Sequence, residues 1–142
     1  MFSKEENKRL RQEFWIAFGK SYPKKWILYN TKIKGLVLKF SFDVKKAYVS
    51  LDVEVDDLDR RIQLWEKLVD LTAILKEEFH KNVVLEDSFI LENGKEISRV
   101  YAEVHNVSIY NKGSWQKTMI FFNENMQRLE IFFEEYKYVI DG

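Results

Sequence analysis

Hydrophobic positions along the chain switch between a helical period and a two-residue period, and each switch marks an element. Leu10, Phe14, Ala17 and Phe18 recur at helical spacing behind Ser3, which forms a capping box with Glu6, three residues on, able to satisfy two otherwise unpaired backbone amides. Together they predict a helix from about Lys4 to Phe18, closed by Gly19 as a left-handed residue and kept from continuing by Pro23. Strict alternation follows twice. Leu36, Leu38, Phe40 and Phe42 share one side of the first run, and Ala47, Val49, Leu51, Val53 and Val55 share one side of the second, with Asp43-Val44-Lys45-Lys46 as the turn. Successive strand side chains point to opposite faces, so the runs predict antiparallel strands, each with its apolar face buried and its polar face wet.

Asp56, Asp57 and Asp59 then stand where carboxylates favour the positive end of a helix dipole. Leu58, Ile62, Trp65, Leu68, Val69, Thr72, Leu75 and Phe79 continue at helical spacing as far as His80, predicting one helix. A second hairpin is predicted around Asn93-Gly94, a dipeptide suited to a two-residue turn with positive φ at both positions. That turn sets Phe89 opposite Ser98, Leu85 opposite Ala102, Val83 opposite Val104, and Glu92 beside Lys95. After Asn111-Lys112-Gly113, Ser114 is the expected cap of a last helix. Its Trp115, Met119, Phe122, Met126, Leu129, Phe133, Tyr136 and Ile140 alternate steps of four and three, a heptad-like seam on a rod about 39 Å long. Ile120, Phe121, Ile131, Phe132, Tyr138 and Val139 lie off the seam. So much apolar surface calls for cover by other elements or by a second subunit, and Trp115, Met119, Phe122, Met126, Leu129, Phe133 and Tyr136 are the expected interface of a homodimer.

The order α-β-β-α-β-β-α, with no internal repeat and no Pro/Gly/Ser-rich linker, predicts a single domain over residues 1–142 of the α+β class. It has two layers, a four-stranded antiparallel sheet with helices packed on one face. Parallel doubly wound sheets need a crossover after nearly every strand, which the short turns disfavour. Composition then narrows the chemistry. The 142 residues include no Cys, 2 His, 5 Gly and 1 Pro, which excludes disulfide frameworks, cysteine-ligated metals, thiol nucleophiles and low-complexity classes. No apolar run approaches the roughly 20 residues that span a bilayer and the opening has no hydrophobic signal region, so no membrane contact and a cytoplasmic location are expected. Net charge is zero but uneven: residues 1–46 hold 12 Lys and Arg against 4 Asp and Glu, and the remainder 11 against 19, setting +8 against −8.

Phosphate-binding glycine loops, dinucleotide fingerprints, nucleophile elbows and paired-histidine metal motifs are all missing, so no cofactor is expected. His80 and His105 end elements without a sequence partner and read as surface or cap residues. Asp52 and Glu54 alternate onto one polar strand face, with Asp43 at the preceding turn, and their hard oxygens suit a divalent cation. Metal-dependent nucleases of the restriction-endonuclease type use such acids with an acidic-x-lysine triplet; that lysine is missing here, and Lys39 on the neighbouring strand is the available substitute. A solvent-facing strand edge with helix-capping acids explains the same residues. Lys20, Lys24, Lys25, Trp26, Tyr29, Lys32 and Lys34 interleave cations with aromatic rings, as a single-stranded nucleic-acid surface does, although Trp26 and Ile27 could equally pin a loop to the core. An open sheet face carrying Lys39, Ser41, Tyr48, Ser50, Asp52, Arg99 and Glu103 offers a mixed-charge protein contact.

Several stretches together, Met1-Phe2-Ser3-Lys4-Glu5-Glu6, Phe14-Trp15-Ile16-Ala17-Phe18-Gly19-Lys20, Lys25-Trp26-Ile27-Leu28-Tyr29-Asn30-Thr31 and Leu91-Glu92-Asn93-Gly94-Lys95-Glu96-Ile97-Ser98-Arg99, resemble the proteins grouped as domain of unknown function 4268, over essentially the whole chain. The resemblance implies a bacterial protein of Bacteroidetes type and carries over no activity and no catalytic residue. Longer relatives look like this domain appended to a nuclease-like one, which implies a DNA-related setting. The leading expectation is a non-catalytic interaction module that forms a homodimer. A metal-dependent nuclease or degenerate relative using Asp43, Asp52 and Glu54, and a single-stranded nucleic-acid binder, are the alternatives.

Overall fold

Ser3 accepts the Glu6 amide at 3.1 Å and donates its own amide to the Glu6 carboxylate at 3.4 Å, so the capping box forms and helix α1 runs over Lys4–Ser21. The computed structural model describes residues 2–142. Gly19 does not end α1: it stays helical, and the helix stops at Ser21 with the Tyr22 N–H on the Phe18 carbonyl at 2.9 Å. Pro23 is the first residue with no amide to continue the ladder. Strands β1 (Leu36–Phe42) and β2 (Lys46–Val53) meet at a turn where Asp43 Oδ1 accepts the amides of Lys45 and Lys46 at 2.8 and 2.9 Å. Helices α2 (Leu58–Asp70) and α3 (Thr72–Glu78) follow, then β3 (Val84–Ile90), β4 (Glu96–His105) and the long α4 (Trp115–Asp141).

The strands form one antiparallel sheet in the order β1-β2-β4-β3, so the two hairpins lie side by side and β2 and β4 are central. Four helices with this sheet make an α+β fold, as the alternating and helical periods predict. Leu38, Val49, Leu51, Val100 and Ala102 are fully buried on the helical side of the sheet, against Leu64 and Leu68 of α2 and Phe122, Met126 and Leu129 of α4. An aromatic cluster fastens α1 to this core. The Phe14 ring meets Phe42 at 4.7 Å and Trp115 at 5.4 Å, and Phe18 meets Phe40 at 5.2 Å and Phe122 at 5.5 Å, mostly edge to face. Gly35 enters β1 at φ +87°, and a Cβ there would lie 2.4 Å from that of Val55. Only glycine fits this approach of the two chain segments.

Four local expectations are corrected. The helix expected to reach His80 breaks at Leu71, whose N–H turns to the Leu68 carbonyl at 3.0 Å in a tighter, three-residue step. Its buried stripe is Leu64, Leu68, Leu71, Leu75 and Phe79, and Leu58, Ile62 and Val69 are 45–60% exposed. Helix α2 carries two apolar stripes about 100° apart, and the sheet takes the one through Leu64. In the second hairpin only Gly94 has positive φ; the Leu91 amide bonds to the Lys95 carbonyl at 2.9 Å around a three-residue loop, so Phe89 faces Ile97, and a bulge between Glu86 and Phe89 then sets Leu85 opposite Val100. Lys95 pairs with Asp56 at 3.5 Å, not with Glu92. The Ser114 side chain makes no helix cap; its hydroxyl bridges the Ser108 and Asn111 carbonyls, and Asn111 caps the preceding turn through the Gly113 amide at 3.0 Å.

The largest correction concerns the polar side of β2. Tyr48, Ser50 and Asp52 are expected in water, yet they are 8%, 0% and 0% exposed. The three-residue loop sets Phe89 on this side, where its ring lies 4.2 Å from the Arg99 guanidinium and edge to face with Tyr101 at 5.9 Å and Tyr48 at 6.3 Å. A second, smaller polar core therefore lies on the side of the sheet that the helices leave uncovered.

Candidate functional site

Alternation along β2 places Asp52 on the polar face, and antiparallel register sets Arg99 of β4 directly opposite. The guanidinium grips both carboxylate oxygens, Nε to Oδ1 and Nη2 to Oδ2, each at 2.8 Å. Lys39 on β1 adds a third charge, 3.5 Å from Asp52 and 2.8 Å from Glu54. Burial alone lowers the Lys39 ammonium; its hydrogen bond to Glu54 and the charges of Asp52 and Glu54 outweigh that and hold it above the ordinary lysine value. On the far side of Arg99, the Tyr101 hydroxyl donates to Glu86, and burial followed by that bond keeps the phenol protonated well beyond its usual range. The Ser50 hydroxyl, fully buried between Lys39 and Tyr101 in the register, has no hydrogen-bond partner.

The three acids expected to hold a cation are thus brought together only in part. Asp52 and Glu54 share Lys39, while Asp43 is occupied at the β1–β2 turn with the amides of Lys45 and Lys46. Among the described residues no three His, Asp or Glu side chains converge. Lysine and arginine occupy the positions beside Asp52 that a metal ion would need, and the substitute role imagined for Lys39 becomes that of a counter-ion. A hollow of about 360 Å³ lies next to the pair, lined by Ser41, Asp43, Tyr48, Phe89, Leu91 and Arg99. It is the remnant of the open face expected to meet another protein.

The basic stretch divides by side-chain type. Trp26 is half-buried against Phe18 and Phe40, with Lys24 over its ring at 4.8 Å, so it anchors the segment. The Ile27 amide donates to Glu130 on α4 at 2.6 Å, and burial pushes that carboxyl up despite the bond and the nearby Lys24 charge. Thr31, itself buried, bonds the Leu36 carbonyl at 2.8 Å and accepts the Ile33 amide at 3.2 Å. Lys20, Lys25, Lys32 and Lys34 remain exposed, and Tyr29 is 72% exposed. The loop is pinned to the core by Trp26, and Lys20, Lys25, Lys32, Lys34 and Tyr29 face solvent.

The seam of α4 is filled from within. Trp115, Phe122, Met126, Leu129 and Phe133 are buried in the chain's own core, and Met119 and Tyr136 are half-buried against it. The α1, α2 and α3 helices and the sheet supply the cover that a second subunit was expected to give. What α4 leaves outside is Ile120, Ile131, Tyr138 and Val139. Ile131 borders a surface hollow of about 540 Å³, with Lys24, Ile27, Glu130 and Glu134.

Two features escaped the sequence reading. The Asp52–Arg99 pair depends on the register of β2 against β4, two strands that no hairpin joins, and the unpaired cations of α1 depend on which acids the fold brings near them. The +8 balance of residues 1–46 was the available signal for the second.

No curated protein and no solved structure matches the chain. No helix among the described residues is long and apolar enough to cross a membrane. The family model named Domain of unknown function (DUF4268) matches residues 10–137, and the chain belongs to that family.

Proposed function

We propose that the protein is a non-catalytic interaction module. The observation that carries this reading is the mutual neutralisation of its two fully buried charges: Arg99 holds both oxygens of Asp52, and Lys39 takes up Glu54 beside them. A centre for proton transfer or metal-assisted hydrolysis needs ionisable groups left out of balance and open to substrate. Here Asp52 and Arg99 are buried and tied to each other, with the Phe89 ring over the guanidinium, an arrangement suited to holding two strands together.

Calorimetric titration with Mg²⁺ and with Mn²⁺ tests this reading. No heat beyond dilution is expected with either ion. Saturable binding that disappears in Glu54→Gln, a half-buried position whose change leaves the Asp52–Arg99 pair in place, would overturn it and restore the nuclease alternative.

A further inference from the structure

Residues 4–34 carry nine Lys and Arg against three Glu, and none of those nine cations joins an ion pair. Beyond residue 35 the same side chains behave differently: 8 of 14 are paired with a carboxylate. Of the three acids of the region, Glu6 closes the capping box, Glu13 pairs with Lys112, and Glu5 stands in the first turn of α1 and joins no ion pair. Lys24 lies near the Glu130 carboxylate, and the others, left without an ion-paired acid on one stretch of chain, repel one another, a cost that an anionic partner removes.

The backbone of the same segment is held under strain. Leu28 and Lys32 adopt φ +45° and +66°, a region unfavourable to residues with a Cβ, within four positions of each other. Four anchors over-determine this shape: Trp26 in the core, the Ile27 amide on Glu130, the Leu38 amide on the Leu28 carbonyl at 3.0 Å, and the buried Thr31 hydroxyl. What the anchored loop presents is Tyr29, the most exposed aromatic ring after Tyr138, with the exposed Lys25, Lys32 and Lys34 within five positions of it along the chain. A rigid loop that holds a bare ring among free ammonium groups is built to stack a base while neutralising phosphates.

Helix α1 extends the same surface. The stacked rings of Phe18 and Trp26 join the loop to its C-terminal half, and Lys4 and Lys8 recur at helical spacing on its solvent side, with Trp15 at the edge of that side, 37% exposed and stacked on Phe122. That side interrupts its apolar residues with Gln12 and Gly19, which leaves no broad stripe to bury in lipid. We infer that the solvent side of α1 and the loop around Tyr29 form a binding surface for single-stranded nucleic acid, with lysines on the phosphates and Tyr29 stacked on a base. This names a partner for the interaction module and rests on that reading.

Fluorescence anisotropy with a dye-labelled, mixed-sequence single strand of about twelve nucleotides tests it, within the ~4–16 nucleotides that comparable surfaces cover. Binding is expected at low salt, with log K falling against log[salt] at a slope of about −3, as about four phosphate contacts at about −0.7 each give. Tyr29→Ala is expected to weaken binding about tenfold with the slope unchanged. Reversing Lys25, Lys32 and Lys34 to Glu should weaken it at least about a hundredfold. Lys67→Glu with Lys76→Glu, exposed and unpaired cations on α2 and α3, should change it less than about twofold. Loss of binding in this control equal to the loop triple variant overturns the proposal, as does a Tyr29→Ala protein that binds like the parent. Uptake by phosphatidylserine vesicles without binding to the strand also overturns it, in favour of a membrane surface. Far-ultraviolet circular dichroism of each variant checks that it is folded. A protein that ignores both the divalent ions and the oligonucleotide overturns this inference and leaves the non-catalytic reading standing.

Discussion

The polar face of the sheet and the segment from α1 to β1 are built from the same lysines, arginines and aromatic rings, in opposite circumstances. Across β2 and β4, Arg99 sits between an aromatic ring and a carboxylate with 3% of its surface in water. In the loop around Tyr29 and the end of α1, Lys20, Lys25, Lys32 and Lys34 stand in solvent and join no ion pair. Water makes the difference. An exposed ammonium keeps its hydration and tolerates having no partner, whereas a buried guanidinium does so only at several kcal/mol, of order ~3–5. A charge pair sealed within the fold therefore reports on folding, and an unpaired cluster on the surface reports on what approaches from outside.

That contrast can be broken from either side. The largest effect is expected from Asp52→Asn, which leaves Arg99 buried without its counter-charge and should cost about 3–5 kcal/mol in urea unfolding. A loss under about 1 kcal/mol would mean that Arg99 finds water on unfolding the local face alone, and that the sheet's polar layer is open after all.

A smaller effect is expected from pH. The folded state holds the Lys39 ammonium above the ordinary lysine value because Glu54 and Asp52 outweigh its burial. The stability this contributes is fully present below the unfolded lysine value, near ~10.4, and is lost as pH rises through the higher folded value. Between about pH 9 and about pH 11.5 the parent should therefore lose more stability than Lys39→Met, measured by the urea midpoint at each pH. Equal losses would show that Lys39 is not coupled to the acids beside it.

Much of this architecture is legible in the residues, and the exceptions share a cause. Ser3 and Glu6 announce α1 because a capping box is a local device that needs nothing from the rest of the chain. Leu36 to Phe42 and the alternating run from Ala47 show β1 and β2 for the same reason, and α4 is one unbroken rod, as its seam predicts. Helix α2 is ambiguous because Leu58, Ile62 and Val69 form a stripe as regular as that of Leu64 and Leu68, and only the sheet decides between them. Asn93-Gly94 marks the hairpin correctly, but a three-residue loop shifts Phe89 onto the other face and a bulge then resets Leu85, which no dipeptide encodes. Asp52 is the sharpest case. Alternation tells which side of the sheet it is on, while its burial goes with Arg99 and with a ring 37 residues later that covers the guanidinium, placed there by the three-residue loop.

The charged side chains of the sheet and of the N-terminal surface have been assigned separate tasks, and a double-mutant cycle on Asp52→Asn and Arg99→Met measures the first of them directly. If the two residues act as one sealed unit, the double variant should be more stable than the sum of the single losses implies, by about 2–3 kcal/mol. Single losses that add to within about 0.5 kcal/mol would contradict the account, because they would mean that the two charges are solvated independently and remain free to act on a substrate.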